Sequence, residues 1–207
     1  MHEIEALFPV PLLRAPALLE PPLVDTLAGL ALAARTTSNS QSARLSHTEI
    51  MGPDAQPAFR AAAERAAPKL EAFGEALFGD RLRWAVKEMW SNVLETGGSQ
   101  ALHVHANSFV SGIFFLSESD ASANTVFVRN PVMGEFAFRH NTPTTTVGRF
   151  NAGKWVLPEV KPGDLVLFPS YLLHEVPVNR GARRVTMAFN AVPERLDSFG
   201  YAISFGP

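Results

Sequence analysis

Three histidines and one arginine carry the chemical signal of this sequence. His103-Val104-His105 sets two imidazoles two residues apart. In an extended strand such residues point to the same face, so both rings can reach one ion. His174 lies far downstream, soon after the apolar run 165–168. Cysteine is absent, so disulfides and zinc-thiolate sites are excluded and any metal must be held mainly by nitrogen and oxygen. Three protein ligands would leave coordination positions open, which separates a catalytic site from a closed structural one. His2, His47 and His140 have no such company and read as hydrogen-bonded core or surface residues.

Arg184 opens the run 184–190. By strand alternation Arg184, Thr186 and Ala188 share one face, and Val185, Met187 and Phe189 share the other. An arginine aimed into an apolar barrel is costly unless it meets an anion. A carboxylate gripped by both arms of the guanidinium, with Thr186 adding a hydrogen bond, would offset that cost. The plainer alternative is an edge-strand arginine with its head in water. Arg183 faces the other way and reads as solvated.

These residues need a scaffold that brings distant segments together. From residue 84 onward the chain shows short runs rich in β-branched and aromatic residues. Strands are expected at 84–94, 108–116, 125–128, 135–138, 154–157, 164–168, 176–177 and 184–191, punctuated by Gly, Pro, Asn and Asp. Gly97-Gly98-Ser99 reads as a turn before the histidine pair, and Gly163 as a tight turn before 165–168. Such a series of short strands without helices between them points to a jelly roll. The first 83 residues differ. Helices are expected at 22–35 and 54–78, with Asp54 as N-cap of the second and Pro68 kinking or dividing it. Residues 36–46 read as a polar connector, or else a mobile lid. The expected organisation is one domain, 1–207. A helical part, 1–83, packs on a mainly β core, 84–207, of double-stranded β-helix type (a cupin-like jelly roll).

With 207 residues, 46% hydrophobic and 18% charged, the chain has ample material for a core. Its formal charge of −2 makes neither nucleic acid nor an anionic membrane an obvious partner. The first residues lack the basic and apolar stretches of a signal peptide, and no apolar run is long enough for a span. A cytoplasmic location is expected. Oligomeric state is not legible.

At these residues the sequence resembles the 2-oxoglutarate/Fe(II)-dependent oxygenases, in particular a bacterial and phage branch. The matching pieces are His103–Ser108, Ser111–Leu116, Gly163–His174 and Arg184–Asn190, in the family's order and with similar spacing. The resemblance implies a double-stranded β-helix, Fe(II) as metal and 2-oxoglutarate as co-substrate. It also implies His103 and His174 as ligands, and Arg184 with Thr186 as the anchor of the co-substrate's distal carboxylate. The implied chemistry is oxidative decarboxylation to succinate and CO2, coupled to hydroxylation of a small-molecule or amino-acid-like substrate. Asn92, Asn107 and Ser111 are candidate substrate or co-substrate contacts, with turn and cross-strand bonding as the alternative. Trp90, Phe114 and Phe138 read as core.

The chain departs from the superfamily in one place. His105 stands where the first motif usually has Asp or Glu. That removes a negative charge beside the metal and should raise its redox potential. A His-x-His pair preceded by glycine and followed by a Gly–Pro–His segment is also cupin-like. The departure therefore keeps open a three-histidine dioxygenase that does not use 2-oxoglutarate. A non-catalytic ligand-binding jelly roll is the third possibility.

Overall fold

The computed structural model describes residues 3–130, 140 and 142–205. The expected strand at 135–138, with Phe138, lies outside them. Two helices, α1 (Pro21–Ala33) and α2 (Pro57–Phe78), precede the main strands. The strands are β1 (Leu13–Ala15), β2 (Thr36–Ser38), β3 (Ala43–Thr48), β4 (Trp84–His103), β5 (Val110–Phe115) and β6 (Val126–Val128). They continue with β7 (Lys154–Val156), β8 (Leu165–Pro169), β9 (His174–Val176), β10 (Arg184–Pro193), β11 (Arg195–Ser198) and β12 (Tyr201–Ser204).

The pairing order is β1-β8-β5-β10-β4-β9-β6-β7, antiparallel throughout, with β3 joining β4 and β2 joining β3. The order curls into two layers because β4 belongs to both. Its first half pairs with β10, and its last residues pair with β9. The bend between them falls at Gly97-Gly98. These glycines do not end the strand, as the sequence suggested, but fold one continuous strand of 20 residues across the barrel. Gly97 has φ +79°, a conformation that strains other residues, and a Cβ on Gly98 would lie 2.8 Å from the Arg44 carbonyl oxygen. Buried Asn179 pins the bend: Gly97 donates to the Asn179 carbonyl and Asn179 donates to that of Gly98.

Alternation sorts the two faces of the larger layer. Phe114, Leu165, Leu167, Val185, Met187 and Phe189 pack outward, against Leu27, Phe59, Leu70 and Phe73 of the helices. Ile113, Phe115, Val166 and Phe168 point into the barrel. Gly112, in the middle of β5, leaves space that the Phe189 ring fills.

The N-terminal part departs from its expected description in four ways. It is not only helical, since β1 extends the sheet at β8 and β3 pairs with β4. The polar stretch 36–46 is neither lid nor plain connector, because most of it forms the β2–β3 hairpin on the sheet edge. Asp54 sits in a short 3-10 turn and accepts from Arg60 Nε, while the position before α2 is Gln56. Pro68 does not divide α2. Pro68 and Glu64 are both exposed, so the carbonyl that loses its partner can be hydrated.

The close approach at Gly112 sets an expectation. A Cβ there would stand 2.1 Å from Phe189 Cζ, with the backbones of three paired strands unable to part. Gly112→Ala should cost about 1–3 kcal/mol in denaturant unfolding, and Phe189→Leu in the same chain should recover part of it. Unchanged stability of the single variant would show that the sheet accommodates the methyl group.

Candidate metal centre

The two ends of the histidine set meet through strand pairing. His103 closes β4 and stands directly opposite His174, the first residue of β9. His105 follows β4 by two residues, and its backbone N–H donates to the Ser170 carbonyl at 3.0 Å. The three rings converge, with centroids 4.1 Å (103–174), 5.0 Å (105–174) and 5.3 Å (103–105) apart. One ligand nitrogen from each lies within 4.8 Å of the others.

Each ring is held by its Nδ1. His103 Nδ1 lies 2.8 Å from the Ala101 carbonyl oxygen and His174 Nδ1 lies 2.8 Å from that of Leu172. A carbonyl only accepts, so both rings carry their proton on Nδ1 and present an Nε2 lone pair. His105 Nδ1 lies 2.8 Å from Asn190 Oδ1 and 2.8 Å from Ser111 Oγ. The Nε2 atoms of His103 and His105 consequently face each other at 3.3 Å. Two nitrogens bound to one ion at about 2.1 Å, between right-angled and tetrahedral, stand about 3.0–3.4 Å apart. The donor set therefore fits a divalent ion of the imidazole-preferring kind.

The surroundings keep the rings neutral. Burial lowers all three from the ordinary value of 6.5: His105 to about 4 and His174 to about 3. Asn190 opposes the shift at His105, while the neighbouring histidines add to it at His105 and His174. Phe168 packs edge-on to His174 at 4.8 Å, with Phe127 behind it at 5.1 Å. This apolar wall helps to keep the set dry.

Arg184 lines the same cavity, with Thr186 and Ala188 beside it as alternation predicts. Its side chain is buried, its Nε has no hydrogen-bond partner, and Nη2 reaches only Thr125 Oγ1 at 3.4 Å. The guanidinium carbon lies 5.3 Å from the Phe115 ring centre. No carboxylate pairs with it among the described residues, and burial lowers its pKa to about 10. A buried cation with one unanswered donor is the chemistry of a carboxylate subsite. Arg183 points away and pairs with Glu95 at the surface.

Of the other expected contacts, Asn92 lines the cavity. Ser111 is fully buried and bonds to His105, Asn190 and Ser170, so it helps to hold the His105 ring. Asn107 is exposed at φ +55°, and its carbonyl accepts from Lys87. His47 bonds to its own strand through the Thr48 carbonyl, and exposed His140 is not part of the cluster. Phe114 lies in the helix-side core. Trp90 was expected there too, but lines the cavity with its ring 5.6 Å from that of His105. Gln100 and Thr125 are further lining residues that sequence reasoning missed. Gln100 Nε2 stands 3.3 Å from His103 Nε2.

A curled double layer carrying facing histidines and a buried arginine is the arrangement of the non-haem iron oxygenases built on a double-stranded β-helix. Comparison agrees. Residues 88–190 match the family described as "Putative 2OG-Fe(II) oxygenase". Among solved structures, HygX from Streptomyces hygroscopicus with nickel and 2-oxoglutarate bound aligns with TM-score 0.65 at 14% identity, over 89% of this chain and 83% of that one. The α-ketoglutarate-dependent epimerase SnoN from nogalamycin biosynthesis aligns with TM-score 0.64 at 14% identity, over 90% and 80%. A Pseudomonas putida prolyl-4-hydroxylase aligns with TM-score 0.63 at 14% identity, over 89% and 93%. At such identities the structural likeness is one of fold. No curated protein matches. The matched segment, residues 88–190, contains every residue that lines the cavity of the three histidines and Arg184, so the likeness to the 2-oxoglutarate/Fe(II)-dependent oxygenases falls on the site itself. No helix among the described residues is long and apolar enough to cross a membrane.

The depressed histidines predict a pH dependence of the metal-free protein. In the unfolded chain each histidine takes up a proton as pH falls through about 6.5. In the folded chain His105 and His174 resist until about 4 and 3. Their contribution is therefore complete above about 6.5 and is lost as pH falls toward those lower values. Melting temperatures of the metal-free chain should fall from pH 7 to pH 4 more steeply than those of the triple variant His103→Gln, His105→Gln, His174→Gln. Parallel curves would show that the rings are not held neutral by the fold.

Proposed function

We propose that this chain hydroxylates a small molecule at the expense of 2-oxoglutarate and dioxygen, releasing succinate and CO2. His103, His105 and His174 hold the iron through Nε2, and Arg184 with Thr186 holds the distal carboxylate of 2-oxoglutarate. When bound, the iron and its co-substrate supply the oxidising chemistry. The chain's own residues bind, orient and exclude water. Nδ1 hydrogen bonds to Ala101, Leu172 and Asn190 aim the ligand nitrogens. Phe127 and Phe168 shield them. Trp90, Asn92 and Gln100 line the space left for the substrate.

The observation that carries the reading is the buried guanidinium of Arg184, with a free Nε–H, in the cavity of the three histidines. A three-histidine dioxygenase without 2-oxoglutarate would explain His105 equally well but gives Arg184 no partner. A binding module with structural histidines leaves both the His105 Nε2 lone pair and the arginine unanswered. A small-molecule substrate is supported by the neighbours HygX and SnoN, which have been crystallised with hygromycin B and nogalamycin RO.

Three measurements test this. In anaerobic calorimetry with Fe(II) present, Arg184→Ala should weaken 2-oxoglutarate binding at least about tenfold, the loss expected for hydrogen bonds to a charged group. His103→Ala should lower iron content. Succinate release with oxygen uptake should accompany turnover, including the slow turnover without prime substrate. Equal 2-oxoglutarate affinity in wild type and Arg184→Ala would rule out the assigned anchor and favour the three-histidine dioxygenase.

A further inference from the structure

The first motif lacks a carboxylate, and the structure contains a carboxylate connected to that same position. Glu88 stands opposite Asn190 in the β4–β10 ladder, on the face that carries Trp90, Asn92, Thr186 and Ala188. Its Oε1 accepts from Asn190 Nδ2 at 2.7 Å. Asn190 Oδ1 in turn lies 2.8 Å from His105 Nδ1. The direction of this relay is fixed by chemistry. Ionised Glu88 can only accept, so it selects the NH2 side of the Asn190 amide, and the oxygen must turn toward His105. That oxygen accepts from Ser111 Oγ and from His105 Nδ1–H. His105 must then present Nε2 as a lone pair. His103 and His174 are fixed by backbone carbonyls instead, so His105 alone is steered by a side-chain carboxylate.

We infer that Glu88 is a positioning residue for the metal, acting through Asn190 and His105 to return, two hydrogen bonds out, part of the negative charge that the His-x-His motif removes. This rests on His105 being an iron ligand. A carboxylate that polarises an amide, which accepts from the imidazole, increases the electron density at Nε2 and stabilises the higher charge state of the metal. Glu88 is suited to this because its side chain is only one quarter exposed, so water screens it incompletely. Among the described residues its ion-pair partner is Lys87, whose Nζ lies at 3.4 Å and is itself shared with the Asn107 carbonyl.

The test compares wild type, Glu88→Gln, and Glu88→Gln combined with Asn190→Asp, using the full chain. Fe(II) affinity is measured by competition with a chromophoric chelator under argon, and the Fe(III)/Fe(II) potential by redox titration. Glu88→Gln keeps an acceptor for Asn190 but loses the charge. It should weaken Fe(II) binding about tenfold, the lower end for partners of metal-binding histidines, and shift the potential positive. The metal-free melting temperature should stay near that of wild type. The double variant moves the charge one bond inward, so its potential should fall below that of Glu88→Gln and its affinity should recover. It also carries the test if Glu88→Gln alone folds poorly. Affinity and potential equal to wild type in both variants would overturn the inference while leaving the metal site intact. A wild-type chain that takes up no Fe(II) would overturn the metal reading itself, and this inference with it.

Discussion

Lone pairs that face one another across 3.3 Å cannot share a proton when both rings carry theirs on the far nitrogen. That electrostatic opposition is the constraint around which the barrel is built. Gln100 Nε2, 3.3 Å from His103 Nε2, can answer one lone pair; the His105 lone pair is left with two responses, a second proton on a ring or a cation between them. Burial closes the first route by holding the rings well below their ordinary pKa. The second remains, and it requires a cation that accepts nitrogen donors. The hydrogen bonds at Nδ1, the apolar wall of Phe127 and Phe168 and the depth of the cavity all strengthen this one preference.

The fold meets the constraint through one bent strand. Residues 84–94 of β4 belong to the layer backed by helices, while Gln100 and His103 belong to the opposite layer. Between them Gly97 and Gly98 allow a bend that residues with a Cβ would resist. Without it, His103 could not face His174 across a ladder while Trp90 and Asn92, of the same strand, line the cavity floor. The layer behind must be rigid for this to matter. Phe189 closing over Gly112, and the helices pressed against Phe114 and Met187, provide that backing.

Much of this was legible in the sequence because strand alternation is local. The sorting of Arg184, Thr186 and Ala188 from Val185, Met187 and Phe189 follows from period two alone, and the structure repeats it. One further step of that period reaches Asn190, which would have flagged it beside the cavity. Its partner Glu88 was not legible, because cross-strand register depends on the whole topology and a bulge falls between Asn190 and Ala191. The same limit applies to Gln100, which reaches His103 only after the bend. At Asn107 the alternating motif ends and the chain turns, at positive φ, so alternation no longer predicts direction there. In the N-terminal part the helical periods were clear. The β1 and β3 pairings were not, since edge strands of three to six residues owe their conformation to the sheet they join.

Charge gives the site its selectivity. In the proposed site, three neutral imidazoles would leave the two positive charges of a divalent ion uncompensated, and Arg184 adds a third in the same cavity. A metal site with a first-sphere carboxylate would be less cationic by one. Such a cavity favours an occupant with two negative ends, one at the ion and one at the guanidinium, over a neutral ligand of equal size. 2-Oxoglutarate is a dianion with its carboxylates at opposite ends of a short chain. With His105 as the proposed ligand in place of a carboxylate, the attraction for the co-substrate would be strengthened at the same time as the potential of the metal is raised. The proposed electron donation through Asn190 would act on the second effect while leaving the first largely in place, because Glu88 is hydrogen-bonded on the Nδ1 side of His105 and is not among the residues lining the cavity. Separating the charge that tunes the metal from the charge that binds the co-substrate is what a carboxylate directly on the ion cannot do.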